Sequence, residues 1–176
     1  DCLLHCSVSR DYVEPATSTA VHRLLQLPSR AINLDLSNAC LGVLSGMVMM
    51  GNMIELGQIE RGLIVAGESA RPLVETTINR LNRDPELTRR SVKPWFASLT
   101  IGSGAAAVVM ARDDVARGGA RLLGGTHLCN TAFNHLCQGS GDTGMDSASN
   151  PIMATDSEEL LVQGVKVAQE NWEYAK

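Results

Sequence analysis

Between Leu41 and Leu56 the chain places Leu41, Val43, Leu44, Met47, Val48, Met49, Met50, Met53 and Ile54 on successive helical positions, with no polar face until Asn52 and Glu55. A helix apolar on nearly every side must be covered on nearly every side. Gly42 and Gly46, four apart, let another backbone come close, and Gly57 stops the run. No window of about eighteen residues is apolar throughout, so this is not a membrane span. The pattern therefore predicts a helix over 40–56 sandwiched between layers. With 176 residues, 44% of them hydrophobic and 19% charged, the chain has the length of one ordinary domain and is not disordered. A net charge of −4 and 3% aromatic residues argue against nucleic acid as a partner, which needs basic surface and stacking platforms.

Around this helix the pattern alternates. Cys2 to Val8 reads as a buried strand, and Ala31 to Leu36 as a strand with Ile32, Leu34 and Leu36 on one face. Arg61 to Gly67 and Ala105 to Ala111 are further strands, and Leu122 to Leu128 is expected to be one more. A helix opened by Pro15, or capped by Thr17 or Ser18, carries Val21, Leu24, Leu25 and Leu27 along one side. Pro72 to Asn82 and Ser157 to Tyr174 read as helices, 83–93 as a polar, basic loop, and 138–151 as a flexible connection. Strands alternating with helices predict an α/β protein with a largely parallel sheet.

Five cysteines, Cys2, Cys6, Cys40, Cys129 and Cys137, stand at irregular spacings in a chain too long to need a disulfide framework. A reducing, cytoplasmic setting follows. Cys40 is the one with chemical promise. It lies where a strand ending near Ser37 meets the apolar helix, so its sulfur faces free N–H groups and the positive dipole end, which favour a thiolate. Its own N–H is placed to donate to an oxyanion beside the sulfur. On position alone two readings stand: a nucleophile on a strand-to-helix elbow, or a small buried apolar residue.

The surrounding residues carry a resemblance. Asp35-Leu-Ser-Asn-Ala-Cys40-Leu-Gly resembles the nucleophile segment of β-ketoacyl synthase III enzymes of the thiolase superfamily. Ile64-Val-Ala-Gly-Glu-Ser69 and Gly102-Ser-Gly-Ala-Ala-Ala-Val-Val109 resemble strands of the same family. Ser7-Val-Ser-Arg-Asp-Tyr-Val-Glu-Pro15 and Leu161-Val-Gln-Gly-Val-Lys-Val-Ala-Gln169 are similar to its branch that joins two long-chain acyl-CoAs head to head. The resemblance implies a thiolase-like fold, mainly its N-terminal half, with Cys40 as nucleophile. It also implies a homodimer in which Glu14 is a base entering the partner subunit's site; without it, Glu14 is a solvated turn carboxylate. Asp11, nearby, matches no such role.

Family members have two similar halves, with the catalytic histidine and asparagine in the second. His5, His22, His127 and His135 match neither, so the chain reads as a fragment: an N-terminal thiolase half over 1–137, then a connecting loop and closing helix over 138–176. The expected activity is acyl transfer to Cys40 followed by Claisen condensation with a second acyl thioester. Acyl-CoA is the substrate, and no cofactor is implied. The alternatives are decarboxylative synthesis with an acyl carrier protein, and a non-catalytic acyl-CoA-binding module. Other clusters carry less. His127-Leu-Cys129 and His135-Leu-Cys137 lack the spacing of a zinc site, so no metal is expected. Arg80, Arg83, Arg89, Arg90 and Lys93 suit phosphates or an acidic carrier, but Asp84 and Glu86 interrupt them. Gly102-Ser103-Gly104 lacks the third glycine of a dinucleotide fingerprint.

Overall fold

Short apolar strands need partners for their backbone groups on both edges, and four of the expected strands supply them to one another. In the computed structural model, which describes residues 1–10, 14–139 and 152–176, β1 (Cys2–His5), β2 (Ile32–Asp35), β3 (Arg61–Glu68) and β4 (Gly104–Ala111) form a sheet in the order β2-β1-β3-β4. β1 runs parallel to β2 and to β3, with Leu4 opposite Leu34 and Ile64. β4 pairs antiparallel to β3, Ile64 opposite Val108, so the sheet is mixed at one edge.

Two crossovers connect the parallel strands, through α1 (Thr17–Leu24) and α2 (Gly42–Glu55). From β1 the chain steps one way to β2, and from β2 it steps back across β1 to β3. Right-handed crossovers in opposite directions place the two helices on opposite faces of the sheet. α2 turns Gly42, Gly46, Met50 and Ile54, each four apart, into the core against Cys2, Leu4, Cys6, Ile59 and Ile64. Met50 and Ile64 are fully buried, and burying such a side chain contributes about 1.5–3 kcal/mol. Gly62 makes room for Met50, because a Cβ there would stand 2.5 Å from its sulfur. Gly57, at φ +70°, ends α2 in the left-handed conformation glycine adopts without strain, and the Gln58 N–H reaches back to the Met53 carbonyl.

Several expectations are corrected here. Within the described residues α2 is covered on one face only; Leu41, Leu44, Met49 and Leu56 remain exposed. Leu24 and Leu25 also point outward, and α1 buries Thr17 and Ser18 instead. Neither of those two residues caps the helix by its side chain. Residues 122–128 pair with no strand among the described residues, and an apolar run without a partner edge cannot make a ladder. Leu122 instead reaches within 3.2 Å of where a Cβ on Gly51 would lie.

The compact unit just described comprises Asp1–Ser69 and Ser103–Gly124; a second comprises Ala70–Gly102 with residues 125–139 and 152–176. In the second, α3 (Arg71–Asn82) has Pro72 in its first turn, where a missing N–H costs nothing. α4 (Phe96–Thr100) carries Ser98, fully buried, whose hydroxyl donates to the Met153 carbonyl at 2.7 Å. β5 (Cys137–Gly139) and β6 (Met153–Thr155) pair antiparallel, so the boundary expected after residue 137 cuts into a strand that β6 holds. The rest of the expected 138–151 connection, from residue 140, lies outside the described residues, as does Asp11. α5 (Ser157–Ala175) is capped by Asp156, which accepts the Glu159 N–H, and no residue along it is buried. No helix is long and apolar enough to cross a membrane among the described residues.

Candidate active site

β1 and β2 are neighbours whose outgoing connections run in opposite directions across the sheet. In open α/β sheets the crevice outside the carboxyl ends of such strands is where ligands bind. The connection after β2 carries Cys40, and the connection after β1 carries Glu14.

Cys40 is exposed, in a single 3-10 turn (Ala39–Leu41) that leads directly into α2. The α-helix thus begins two residues later than the sequence pattern predicts. Ala39 has φ +44°. That conformation costs a non-glycine residue about 1–2 kcal/mol, and such strain concentrates where a side chain must be presented at a sharp strand-to-helix turn. Asn38 donates to the Ser45 hydroxyl at 2.8 Å, tying the turn to the first turn of the helix. The start of α2 is also pressed against β1's end: a Cβ on Gly42 would stand 2.7 Å from the Cys6 carbonyl oxygen, and one on Gly46 would stand 2.9 Å from the Cys6 sulfur. The close backbone approach expected from the two glycines is present.

Sequence reasoning missed the two carboxylates at this end of the sheet. Asp35, the last residue of β2, accepts the Thr17 N–H at 2.9 Å and the Ser18 N–H at 2.8 Å, and so supplies the cap that α1 lacks locally. Glu68, the last residue of β3, accepts the Val8 and Ser9 N–H groups at 2.6 and 2.9 Å. Burial pushes both carboxyls up, but for Asp35 the Ser18 and Thr17 N–H groups outweigh it, aided by nearby His5. For Glu68 the Ser9 hydroxyl and the Val8 and Ser9 N–H groups do the same, and both end below the ordinary carboxylate range. His5 is buried, its Nδ1 3.5 Å from Asp35. The legible signal was a carboxylate closing an otherwise apolar strand, Ile-Asn-Leu-Asp35 and Val-Ala-Gly-Glu68, where charged residues are rare unless paired.

Glu14 is exposed, and no hydrogen bond or ion pair joins it to Cys40 among the described residues. Hollows of about 540 and 240 Å³ are lined by Arg80, Arg83 and their neighbours and by Asp1, Arg30 and theirs, and contain neither residue. Arg80 lies over the Trp95 ring at 4.7 Å and Lys93 pairs with Glu158, so the basic cluster is partly engaged. His22 faces the Pro28 carbonyl at 3.1 Å, a local packing role. Among the described residues no group of three or more His, Cys, Asp or Glu side chains is arranged to hold a metal. Cys2 and Cys6 are buried, and desolvation pushes both thiols up, with Asp35 adding to the effect on Cys6.

The pattern of the family described as 3-oxoacyl-[acyl-carrier-protein (ACP)] synthase III matches residues 34–129. The chain is 37% identical over 174 residues to an acyl-CoA:acyl-CoA alkyltransferase of Xanthomonas campestris, covering 99% of this chain and 48% of that protein. It is 38% identical over 175 residues to the enzyme of the same name from Shewanella oneidensis, covering 98% of this chain and 50% of that protein. Among solved structures, a variant of Xanthomonas campestris OleA with bound lauric acid and lauroyl-CoA superposes with a TM-score of 0.86 at 35% identity, over 99% of this chain and 49% of that one. The chain thus spans about half the length of the curated relatives it matches. Its fold is the thiolase-like α/β fold expected from the resemblance. The chain belongs to the 3-oxoacyl-[acyl-carrier-protein] synthase III family.

Proposed function

We propose that the intact protein joins two acyl-CoAs by a non-decarboxylative Claisen condensation, with Cys40 as the nucleophile and Glu14 as the base. The observation that carries this reading is Cys40 exposed on a strained turn at the start of α2, in a chain aligned over nearly its whole length with acyl-CoA:acyl-CoA alkyltransferases. A further support is spacing. Solved variants of the Xanthomonas protein replace one cysteine and, separately, one glutamate, and those two positions are as far apart in that chain as Cys40 and Glu14 are here. Alignment with alkyltransferases over the whole chain favours two acyl-CoAs over a carrier-bound malonyl donor.

The Cys40 thiolate attacks the thioester carbon of one acyl-CoA. The tetrahedral oxyanion takes a hydrogen bond from the Cys40 N–H, and CoA leaves as its thiolate. Glu14 then removes the α-proton of a second acyl-CoA, and the resulting carbanion attacks the acyl-Cys40 carbonyl. A carbon–carbon bond forms, the sulfur–carbon bond breaks, and a β-ketoacyl-CoA departs. Every step exchanges a proton or a thiol, so the reaction as written draws on no redox cofactor. Glu14 is exposed, which suits a carboxylate entering a neighbouring subunit's site in a cytoplasmic homodimer.

Incubating the intact protein with radiolabelled acyl-CoA tests the first half. Label on Cys40 that survives denaturation and is released by hydroxylamine is expected; tightly bound CoA without covalent label would favour a binding module. Glu14→Gln tests the second half. It should leave Cys40 acylation nearly normal and cut condensation about a hundredfold or more, and normal condensation in that variant would return the decarboxylative reading.

A further inference from the structure

Two carboxylates grip the backbone on either side of Glu14. Before it, Glu68 accepts the N–H groups of Val8 and Ser9 at 2.6 and 2.9 Å. After it, Asp35 accepts those of Thr17 and Ser18 at 2.9 and 2.8 Å. Each grip uses both carboxylate oxygens, and hydrogen bonds to a charged acceptor are roughly twice as strong as neutral ones. The near side is reinforced by the Ser7 hydroxyl, which accepts the Gly67 N–H at 2.7 Å, and by the Ser9 hydroxyl, which accepts that of Ser69 at 3.1 Å. Thr17 and Ser18 are buried at the start of α1 and need a cap. Val8 is exposed and Ser9 half-buried, so water could satisfy their N–H groups at little cost, and the grip of Glu68 is not needed merely to join β1 to α1.

We propose that Asp35 and Glu68 are positioning residues, holding the connection that bears Glu14 in the geometry its proton abstraction requires. This rests on Glu14 acting as the base and extends that reading to the residues that aim it. A base must sit within hydrogen-bond reach of its proton, and misplacement by about 1 Å costs on the order of a hundredfold in rate. Asp35 also opens the segment that ends in Cys40, so its loss disturbs both halves of the reaction. Glu68 lies on β3, off that segment, and is the cleaner probe.

The test is a double-mutant cycle in the intact protein, with Glu68→Ala and Glu68→Gln each made alone and in a Glu14→Gln background. Condensation kcat and KM, the rate of Cys40 acylation, and hydrogen exchange at the Val8 and Ser9 amides are measured. Glu68→Ala is expected to speed exchange at those amides and lower condensation kcat about tenfold or more, with acylation changed by less than about twofold. Glu68→Gln, which keeps one acceptor oxygen, should recover part of the loss, and it carries the same cycle if Glu68→Ala fails to fold. In the Glu14→Gln background neither substitution should lower kcat further. Losses that multiply, or acylation that falls in step with condensation, would overturn the positioning role. Normal condensation in Glu14→Gln alone is a separate result: it would overturn the base reading, and the positioning role with it.

Discussion

Gly42→Ala puts a methyl group where the chain has least room for one. The new Cβ would lie 2.7 Å from the Cys6 carbonyl oxygen and 3.3 Å from its carbon. An ordinary carbon–oxygen contact is about 3.3–3.6 Å, so the start of α2 must withdraw from β1 by about 0.6–0.9 Å. The obstacle is backbone inside a paired strand end, where the Cys6 N–H donates to the Val65 carbonyl at 2.7 Å, so the helix moves and not the strand. Alanine gains about 1 kcal/mol of helix propensity over glycine. Overpacking a close contact loses about 1–3 kcal/mol. The net expectation is a loss of about 0–2 kcal/mol in stability, small because the two effects oppose. Function should suffer more than stability, because the displaced turn holds Cys40. A shift approaching 1 Å predicts a loss of tenfold or more in Cys40 acylation, on the order of the penalty for misplaced reacting groups. Gly46→Ala meets mainly the Cys6 sulfur, at 2.9 Å, and should be milder, because a side chain can turn aside. Gly57→Ala, at φ +70°, should cost about 1–2 kcal/mol in stability while leaving acylation intact, since it lies at the far end of α2. Denaturant midpoints and single-turnover acylation of the intact variants give both readouts. Acylation at the wild-type rate in Gly42→Ala would refute the link between that glycine contact and the placement of the thiol.

Iodoacetamide should modify the exposed Cys40, Cys129 and Cys137 before the buried Cys2 and Cys6, whose thiols burial pushes up, and acyl-CoA should protect Cys40 in the intact protein. Peptide mass spectrometry reads the order, and equal labelling of Cys6 would count against the packing described. Asp35 and Glu68 both ionise below their unfolded values, so their contribution to stability is fully present above about pH 4–5 and is lost as the pH falls through the lower folded values. Denaturant midpoints measured from pH 6 downward should show this acid loss, and Asp35→Asn should flatten it. Ile64→Ala empties a fully buried site under α2 and should cost about 2–5 kcal/mol, where a loss under 1 would mean the core had collapsed around it. The 176 residues alone should self-associate through Leu44, Leu56, Leu161 and Trp172, all exposed, and give no condensation product. A monodisperse monomer with turnover, by light scattering and product assay, would contradict this.

The sequence by itself determined what depends on neighbours along the chain. The course of α2, its stop at Gly57 and the glycine spacing that lets β1 approach are all local, since 3.6-residue periodicity and backbone sterics act over a few residues. The strand-to-helix placement of Cys40 follows from the same signals. Tertiary structure decided the rest. The face of α1 that is buried depends on Asp35 reaching its first N–H groups from another strand, so Thr17 and Ser18 went inside while Leu24 and Leu25 stayed out. The apolar run after residue 121 had strand composition but no partner edge, which no local pattern reports. Ile64 and Val109 look alike in sequence, both β-branched residues within apolar strands. In the structure Ile64 is sealed beneath α2 while Val109 is 75% exposed, because which side of the sheet a residue faces depends on where the crossover helices pack. The grip of Glu68 on Val8 and Ser9 joins residues about sixty positions apart, a contact that only strand order and register create.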